Sequence, residues 1–127
     1  MKVKCPVINK ITLQQRLAQL VGRSIEINAA GLALEPGKLQ SVCGAKFIRV
    51  QGELFVPASS TYLRVFGVSR TNRFRRVGLR ITFQTSVSFA DVQLVQIGRD
   101  FLELQDSSKK ERTFVPLKGV VGIFSLK

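Results

Sequence analysis

The chain begins with apolar positions that repeat at the period of a helix. Three leucines fall on one helical face: Leu13, Leu17 and Leu20. Thr12 precedes them as an N-cap residue, and Gln15 stands three positions later, as in a capping box. Gly22 is a typical residue at a helix end. The pattern predicts one short amphipathic helix over residues 12–21.

After residue 22, apolar and polar positions alternate with a period of two, which is typical of strands. The alternating segments occur in the same order in both halves of the chain. The matches are "VGRSIEI" (21–27) with "VGLRITF" (77–83), "LQSVCGAKFIRV" (39–50) with "LVQIGRDFLEL" (94–104), and "FVPASSTYLRVF" (55–66) with "FVPLKGVVGIF" (114–124). Three matches in register indicate an internal duplication.

Each repeat contains five short strand patterns in about fifty residues. So few short strands curl readily into a small barrel, because closure removes exposed sheet edges. We therefore predict a mainly β protein, with a short N-terminal helix followed by two tandem five-stranded small barrels. Residues 1–68 would form the helix and first barrel, 69–75 a basic connector, and 76–127 the second barrel.

Short motifs in both repeats resemble the Sm-like family of small SH3-like barrels, which includes the bacterial riboregulator Hfq. Gly37 and Leu39 match the Gly-x-Leu that opens the second strand in that family, and "FVPA" (55–58) matches its aromatic-x-x-Ala turn. The second repeat matches again with "FVPLKGVVGIF". The resemblance implies a homo-oligomer built by edge-strand pairing, in which three tandem chains could form a pseudo-hexameric ring. The contact between units could instead be closed within one chain, which would leave a monomer or dimer.

The loops that bind RNA in Sm-like proteins depart from the family pattern here. The first repeat offers only Lys46 at the loop after the second strand, whereas the second repeat offers Arg99 and Asp100. The histidine of the Hfq-like uridine pocket has no counterpart in this chain. That pocket is therefore not transferred to this protein.

The overall charge favours a polyanionic partner. The 127 residues include 20 Lys and Arg against 8 Asp and Glu, which gives a net charge of +12. Such a field attracts RNA, DNA or an anionic surface. The excess is shared between the two halves, so the chain has no separate basic tail.

Few residues could support catalysis or metal binding. Histidine is absent, which removes the commonest acid/base group and the commonest metal ligand. Cys5 and Cys43 lack metal-ligand spacing and are interpreted as reduced thiols, with Cys43 half buried in a strand. The acids show no paired spacing and are interpreted as solvated charges: Glu26, Glu35, Glu53, Asp91, Asp100, Glu103, Asp106 and Glu111. We predict a protein that is not an enzyme and uses no cofactor or metal.

The segment "SRTNRFRRVGLR" (69–80) carries five arginines and no acid. Forked guanidinium groups suit phosphates, and an aromatic ring offers a base a stacking surface. The candidate nucleic-acid-binding residues are Arg70, Arg73, Phe74, Arg75, Arg76, Arg80, Lys109, Lys110 and Arg112. Two other interpretations stay open. The segment could be a solvated connector with Phe74 packed as a hydrophobic pin, or its arginines could contact another chain.

The sequence therefore favours an Sm-like, oligomeric protein that binds RNA, with single-stranded DNA as the second choice of ligand, by contacting phosphates through a basic surface. The alternative is a structural module, such as a ring, shell or coat component, whose basic residues serve subunit contacts or solubility. The N-terminus lacks a signal-peptide pattern and no apolar run approaches membrane-spanning length. We expect a cytoplasmic protein.

Overall fold

A computed structural model of the chain describes residues 5–29, 32–33, 35–83, 86–106 and 108–125. Its one α-helix in these ranges is α1 (Leu13–Ala18). The capping box is confirmed, since the Thr12 hydroxyl accepts from the Gln15 N–H and the Gln15 side chain accepts from the Thr12 N–H. The predicted leucine face is buried. The helix is shorter than predicted, because residues 19–22 form turns that end at Gly22 with a φ of 99°.

Strands account for most of the rest of the described chain. The first half contains β1 (Ser24–Ala29), β2 (Leu32–Ala33), β3 (Gly37–Cys43), β4 (Phe47–Val50), β5 (Glu53–Phe55) and β6 (Tyr62–Phe66). The second half contains β7 (Arg75–Phe83), β8 (Ser86–Ile97), β9 (Phe101–Gln105), β10 (Glu111–Pro116) and β11 (Val120–Ser125). The protein is therefore mainly β with one short helix, as predicted.

The strands form one continuous antiparallel sheet. The strand order is β11-β7-β8-β9-β10-β6-β1-β3-β4-β5, and β2 pairs with β1 beside this path. The sheet does not close, because among the described strands β11 pairs only with β7 and β5 only with β4. The prediction of two closed barrels is therefore not met. The sequence patterns located the strands, but β6 pairs across the repeat boundary with β10 and joins the halves into one sheet.

Both halves nevertheless share one strand order. If β2 is set aside, each half has five strands. In the sheet, the last of the five lies beside the first, and the second, third and fourth follow: β6-β1-β3-β4-β5 and β11-β7-β8-β9-β10. The register shifts at the matched leucines, between Leu39 and Ser41 on β3 and between Leu94 and Gln96 on β8. A 3-10 turn follows the fourth strand in both halves, at Pro57–Ser59 and Leu117–Gly119.

The matched glycines of the first repeat motif have different roles. Gly22 lies in the turn before β1 at a positive φ. Gly78 lies inside β7, where a Cβ atom would collide with the ring of Phe124. The second half therefore enters its first strand earlier than the first half, and Arg75, predicted as the last residue of the connector, is the first residue of β7.

The hydrophobic core consists of two clusters, and strands β9 and β10 contribute side chains to both. The first cluster contains the α1 leucines and the apolar residues of β1, β3, β4 and β6, but also Phe101 and Phe114 from the second half. These two rings lie 5.9 Å apart between centroids. The second cluster lies under β7 to β10, and Tyr62 of β6 packs against it. Each half therefore contributes side chains to the core of the other.

The N-terminal segment is attached to the second half. The Leu13 N–H donates to the carboxylate of Asp100 at 2.8 Å, so a loop of the second half satisfies a helix N–H that has no partner within the helix. The backbone forms two further bonds, from Asn9 N–H to Ile97 and from Arg99 N–H to Ile11. Asp100 is exposed, as predicted, and its carboxylate also caps the first turn of α1.

Candidate nucleic-acid interface

A groove of about 870 Å³ lies at the start of β7. The sheet brings its walls together, because β7 pairs with β8 on one side and with β11 on the other. The N-terminal segment 5–9 forms a further wall, held by the bond from the Asn9 amide to the Gln96 side chain at 2.7 Å. Leu94 and Val77 of the second core cluster also line this groove. We call it the basic groove.

Three predicted residues line the basic groove together: Arg73, Phe74 and Arg75. Both arginines are exposed, and within the described residues neither guanidinium has an ion pair or a hydrogen bond. Phe74 between them is half buried. None of the described residues that line the groove is acidic. The groove therefore combines two uncompensated cations with an aromatic ring.

A second aromatic ring lies at the β11 wall. Phe124 packs over Gly78, which has no side chain to obstruct it. The Arg80 guanidinium lies 5.0 Å from the centroid of the Phe124 ring, within cation–π range. Arg80 is exposed, so its charge borders the groove although it does not line it.

Two of the predicted arginines are engaged elsewhere. The Arg70 guanidinium donates to the Asp106 carbonyl at 3.0 Å and to the Gln93 side chain at 3.2 Å. Arg76 forms an ion pair with Asp91 at 2.5 Å, and the hydrogen bond and charge of Asp91 raise the pKa of Arg76. Neither is among the residues that line the basic groove. Asp91 offsets the charge of Arg76, whereas the guanidinium of Arg70 is held by two neutral acceptors and keeps its charge.

Arg112 does not belong to a surface patch, which corrects the prediction. Its side chain is 6% exposed and donates to Glu103 at 2.5 Å and to the Ser69 carbonyl at 2.7 Å. Glu103, predicted as a solvated charge, is 0% exposed, which also corrects the prediction. Arg16 of α1 binds both Glu103 oxygens, at 2.9 and 3.0 Å. These three residues form a buried ionic cluster that connects α1 to β9 and β10.

The pKa of Glu103 reflects this environment. Burial alone would raise the pKa of the carboxyl group, since the charged form loses hydration. Hydrogen bonds from Arg16 and Gln96, with the charges of Arg16 and Arg112, instead hold the pKa below its ordinary value. The carboxyl group is therefore ionised, and its role is structural.

The predicted lysines lie on the hairpin between β9 and β10. Lys109 and Lys110 are exposed, and neither lines the basic groove. The neighbouring Asp106 accepts hydrogen bonds from the backbone and hydroxyl of Ser108, which lower its pKa. The Lys110 carbonyl accepts from the Gly67 N–H, which attaches the hairpin to the end of β6.

A second concavity, of about 570 Å³, differs in charge from the basic groove. Its lining includes Arg64 and Arg76 but also Asp91, Asp106 and Glu111. Arg64 lies 3.7 Å from Glu111, and Arg76 pairs with Asp91. Its arginines are thus offset by acids, so it offers a phosphate chain little attraction. The contrast identifies the basic groove as the candidate site.

The connector before the groove is held in place rather than loosely solvated. The Gln105 side chain accepts from the Thr71 N–H at 3.0 Å and donates to the Thr71 carbonyl at 2.9 Å. Gln105 is 5% exposed. Sequence reasoning missed this contact and the groove residues Asn9, Gln96 and Phe124. Those residues come from three distant segments. Asn9 reaches the groove through its bonds to Gln96 and Ile97, and Phe124 reaches it through the pairing of β11 with β7.

Within the described ranges, no group of three His, Cys, Asp or Glu side chains is arranged to hold a metal ion. Cys5 is exposed, Cys43 is partly buried, and both are free thiols. No helix in the described part of the chain is long and apolar enough to cross a membrane. Comparisons with protein-family models, curated proteins and solved structures found no match to this chain.

Proposed function

We propose that the protein binds single-stranded RNA through the basic groove, without catalysing a reaction, and that its two halves are Sm-like units. One observation carries the proposal. Arg73 and Arg75, uncompensated by any described acid, flank the half-buried Phe74 in a groove whose described lining contains no carboxylate.

The chemistry of the groove suits a flexible polyanion with flat bases. Guanidinium groups donate paired hydrogen bonds to phosphate oxygens and displace counterions from the strand. Phe74 offers a base a stacking face, and stacking of this kind is tolerant of sequence. Single strands are the form in which bases are available for such contacts. The net charge of +12 adds a long-range attraction that accelerates association.

The Sm-like interpretation rests on topology as well as on the short motifs. Both halves have the same strand order, a register shift at corresponding leucines, and a 3-10 turn before the last strand. This common plan supports an internal duplication of one five-stranded unit.

A second candidate function, a structural module whose product is the assembly itself, is favoured by a different observation. Exposed apolar side chains cluster at the two outer strands of the sheet, with Leu54 on β5 and Val121 and Ile123 on β11. Arg73 and Arg75 lie on neither outer strand, so their replacement tests RNA binding without altering a sheet edge, although Ile123 of β11 also lines the basic groove.

The test measures affinity for a fluorescent, mixed-sequence single-stranded RNA by anisotropy, using nuclease-treated protein over a range of salt concentrations. The variant Arg73→Ser/Arg75→Ser removes the two uncompensated charges. For single strands the salt slope is about 0.7 per phosphate contact, so two lost contacts should lower it by about 1.4 and weaken binding about 25-fold near 0.1 M salt. Phe74→Ala should weaken binding by about 1–3 kcal/mol with little change in slope.

The matched control is Lys38→Ser/Arg49→Ser, which removes the same charge from two exposed residues outside the groove. It should lose far less affinity than the groove variant. Equal losses in both variants would show that only net charge matters, and absence of binding at low ionic strength would refute the proposal. A single-stranded DNA of the same sequence that binds more tightly than RNA would refute the preference for RNA.

A further inference from the structure

The two halves of the sheet have cavities at matching positions, but the two cavities differ in size. The first-half cavity has a volume of about 90 Å³, and its lining includes Ile25 and Gln51. Ile81 matches Ile25 in the duplicated sequence, and Gln51 and Gln105 each directly follow the second matched segment of their half. Ile81 and Gln105 line the concavity of about 570 Å³ described above, which we call the second-half cavity. Small-molecule sites typically measure about 300–1,000 Å³, so only the second-half cavity of this pair has that size.

Strand β6 supplies a wall that the first-half cavity lacks. β6 pairs with β10, so Tyr62 and Arg64 of β6 reach the second-half cavity. The equivalent fourth strand of the first half, β5, pairs with β4 alone among the described strands, so no described strand adds a wall beside it. The longer hairpin between β9 and β10 contributes Asp106. The size of the second-half cavity therefore depends on the junction between the two halves.

Much of the second-half cavity is lined by aliphatic side chains. The described aliphatic residues are Leu79, Ile81, Ala90, Val92, Leu104 and Val115. Leu79, Leu104 and Val115 belong to the second core cluster, so this part of the lining is fixed by packing beneath it. Each ligand methylene that leaves water for such a surface strengthens binding about fourfold. The lining therefore favours a ligand with an apolar body.

The charged residues of the second-half cavity leave one carboxylate in excess. Its charged lining residues are Arg64, Arg76, Asp91, Asp106 and Glu111. Two of these acids are compensated, since Arg76 pairs with Asp91, and Arg70 and Lys109 lie near Asp106. Arg64 instead faces two carboxylates, Glu26 at 3.3 Å and Glu111 at 3.7 Å. One negative charge is therefore left over beside Arg64, and a cation complements it.

Glu111 also lacks hydrogen-bond donors. Its side chain is 13% exposed, so burial removes much of its hydration. No described residue donates a hydrogen bond to its carboxylate, because the Arg64 Nε lies 3.7 Å away, beyond hydrogen-bond distance. The Arg64 Nε likewise has no hydrogen-bond partner within the described chain. Hydrogen bonds from a cation to a carboxylate are stronger than neutral ones, so Glu111 favours a ligand that carries charged N–H donors.

We propose that the second-half cavity binds a small organic cation with an aliphatic body, an alkylammonium ion, whose N–H groups donate to Glu111 while its methylene groups contact the aliphatic lining. The proposal does not depend on RNA binding, because the cavity shares no described lining residue with the basic groove. The net charge of +12 repels small cations in general, so saturable binding of one requires specific contacts.

The ligand class is tested by titrating nuclease-treated protein with n-alkylammonium chlorides, from propylammonium to hexylammonium, at constant ionic strength. NMR shifts should change and saturate at residues of β6 to β10, and affinity should rise about fourfold for each methylene that is buried. Alkanoates of the same chain length carry the opposite charge and should bind far more weakly. Ammonium chloride, which has no apolar body, should give no saturable shift. Equal affinity for the alkanoates, affinity that does not depend on chain length, or shifts confined to other strands would overturn the proposal.

Two variants test where the ligand binds. Glu111→Gln should weaken hexylammonium binding about tenfold, the effect of losing one charged hydrogen bond. Its control, Glu53→Gln, makes the same change at an exposed residue outside the second-half cavity. Ala90→Leu fills the cavity from an exposed position without changing charge and should also weaken binding, whereas Ala45→Leu, in the exposed turn between β3 and β4, should not. Urea denaturation checks that each variant folds, and Ala90→Leu decides the question if Glu111→Gln does not. Unchanged affinity in a folded cavity variant, or equal losses in its control, would overturn the proposal.

Discussion

Replacing Glu103 by glutamine should strongly destabilise the fold, because this carboxylate is the only acid in contact with two nearly buried guanidinium groups in the described chain. Glu103 is 0% exposed, and the Arg112 and Arg16 side chains are 6% and 17% exposed. Removing one member of a buried ion pair costs about 3–5 kcal/mol, since the remaining charge stays buried without compensation. Glutamine keeps one acceptor oxygen, so we expect the lower end, about 3 kcal/mol.

Urea denaturation, followed by far-ultraviolet circular dichroism, measures this loss. With a slope of about 1.5 kcal/mol/M, the midpoint of Glu103→Gln should fall by about 2 M. Glu53→Gln is the matched control, because Glu53 is exposed and the change alters net charge equally. Its free energy of unfolding should change by less than about 0.5 kcal/mol. A midpoint shift for Glu103→Gln no larger than that of the control would refute the reasoning.

The same variant gives a pH test with a defined sign. The folded-state pKa of Glu103 is lowered, so its stabilising contribution is complete above the ordinary value of 4.5 and is lost as pH falls through the folded-state pKa. The stability difference between the natural chain and Glu103→Gln should therefore be largest near neutral pH and shrink below pH 4.5. A difference that grew on acidification would contradict the assignment.

Two further changes test local features. Gly78→Ala should cost about 0.5–1.5 kcal/mol, because the new methyl group displaces the partly exposed Phe124 ring from its rotamer. Gly122→Ala on the neighbouring strand meets no atom within 4 Å and should leave the thermal midpoint nearly unchanged, so equal effects would exclude the steric explanation. Thr12→Ala removes the N-cap hydroxyl of α1 and should cost about 1 kcal/mol by urea denaturation. No measurable loss would show that Asp100 alone suffices to cap the helix.

Sequence periodicity located the elements well because local physics determines them. The capping box at Thr12 and the leucine face of α1 depend on neighbours within a few residues, and both were predictable. The strand patterns were predictable for the same reason. The sequence could not predict whether the strands close into barrels. Two barrels and one joined sheet have the same alternating patterns, and only the pairing of β6 with β10 distinguishes them.

The alternation of polar and apolar residues did not predict the buried ionic cluster of Arg16, Glu103 and Arg112. In "FLELQ" the alternation predicts that Glu103 faces solvent, which holds for a sheet covered on one face. β9 is instead buried along its whole length. Arg16 approaches Glu103 from a helix 87 residues earlier in the chain, and no local pattern indicates such a contact. Arg112 was misassigned to the surface for the same reason, since its partner lies across the β9–β10 pair.

The candidate site was predictable in part. Charge and an aromatic residue marked Arg73, Phe74 and Arg75, and the structure places all three in one groove. Their neighbours Arg70 and Arg76 differ because each lies within reach of an acceptor on an adjacent strand or hairpin. Composition alone does not show that Asp91 offsets the charge of Arg76. That ion pair depends on the register of β7 against β8.

The attachment of α1 to the second half has a consequence for synthesis on the ribosome. The helix N–H of Leu13 and the guanidinium of Arg16 find their partners at Asp100 and Glu103, each 87 residues later. At about 5–20 residues per second, translation of that interval takes roughly 4–17 s. The leucine face of α1 also packs in a cluster with Phe101 and Phe114, so it is fully buried only after most of the chain has been synthesised. The first half is thus expected to reach its final stability only after the second half has emerged.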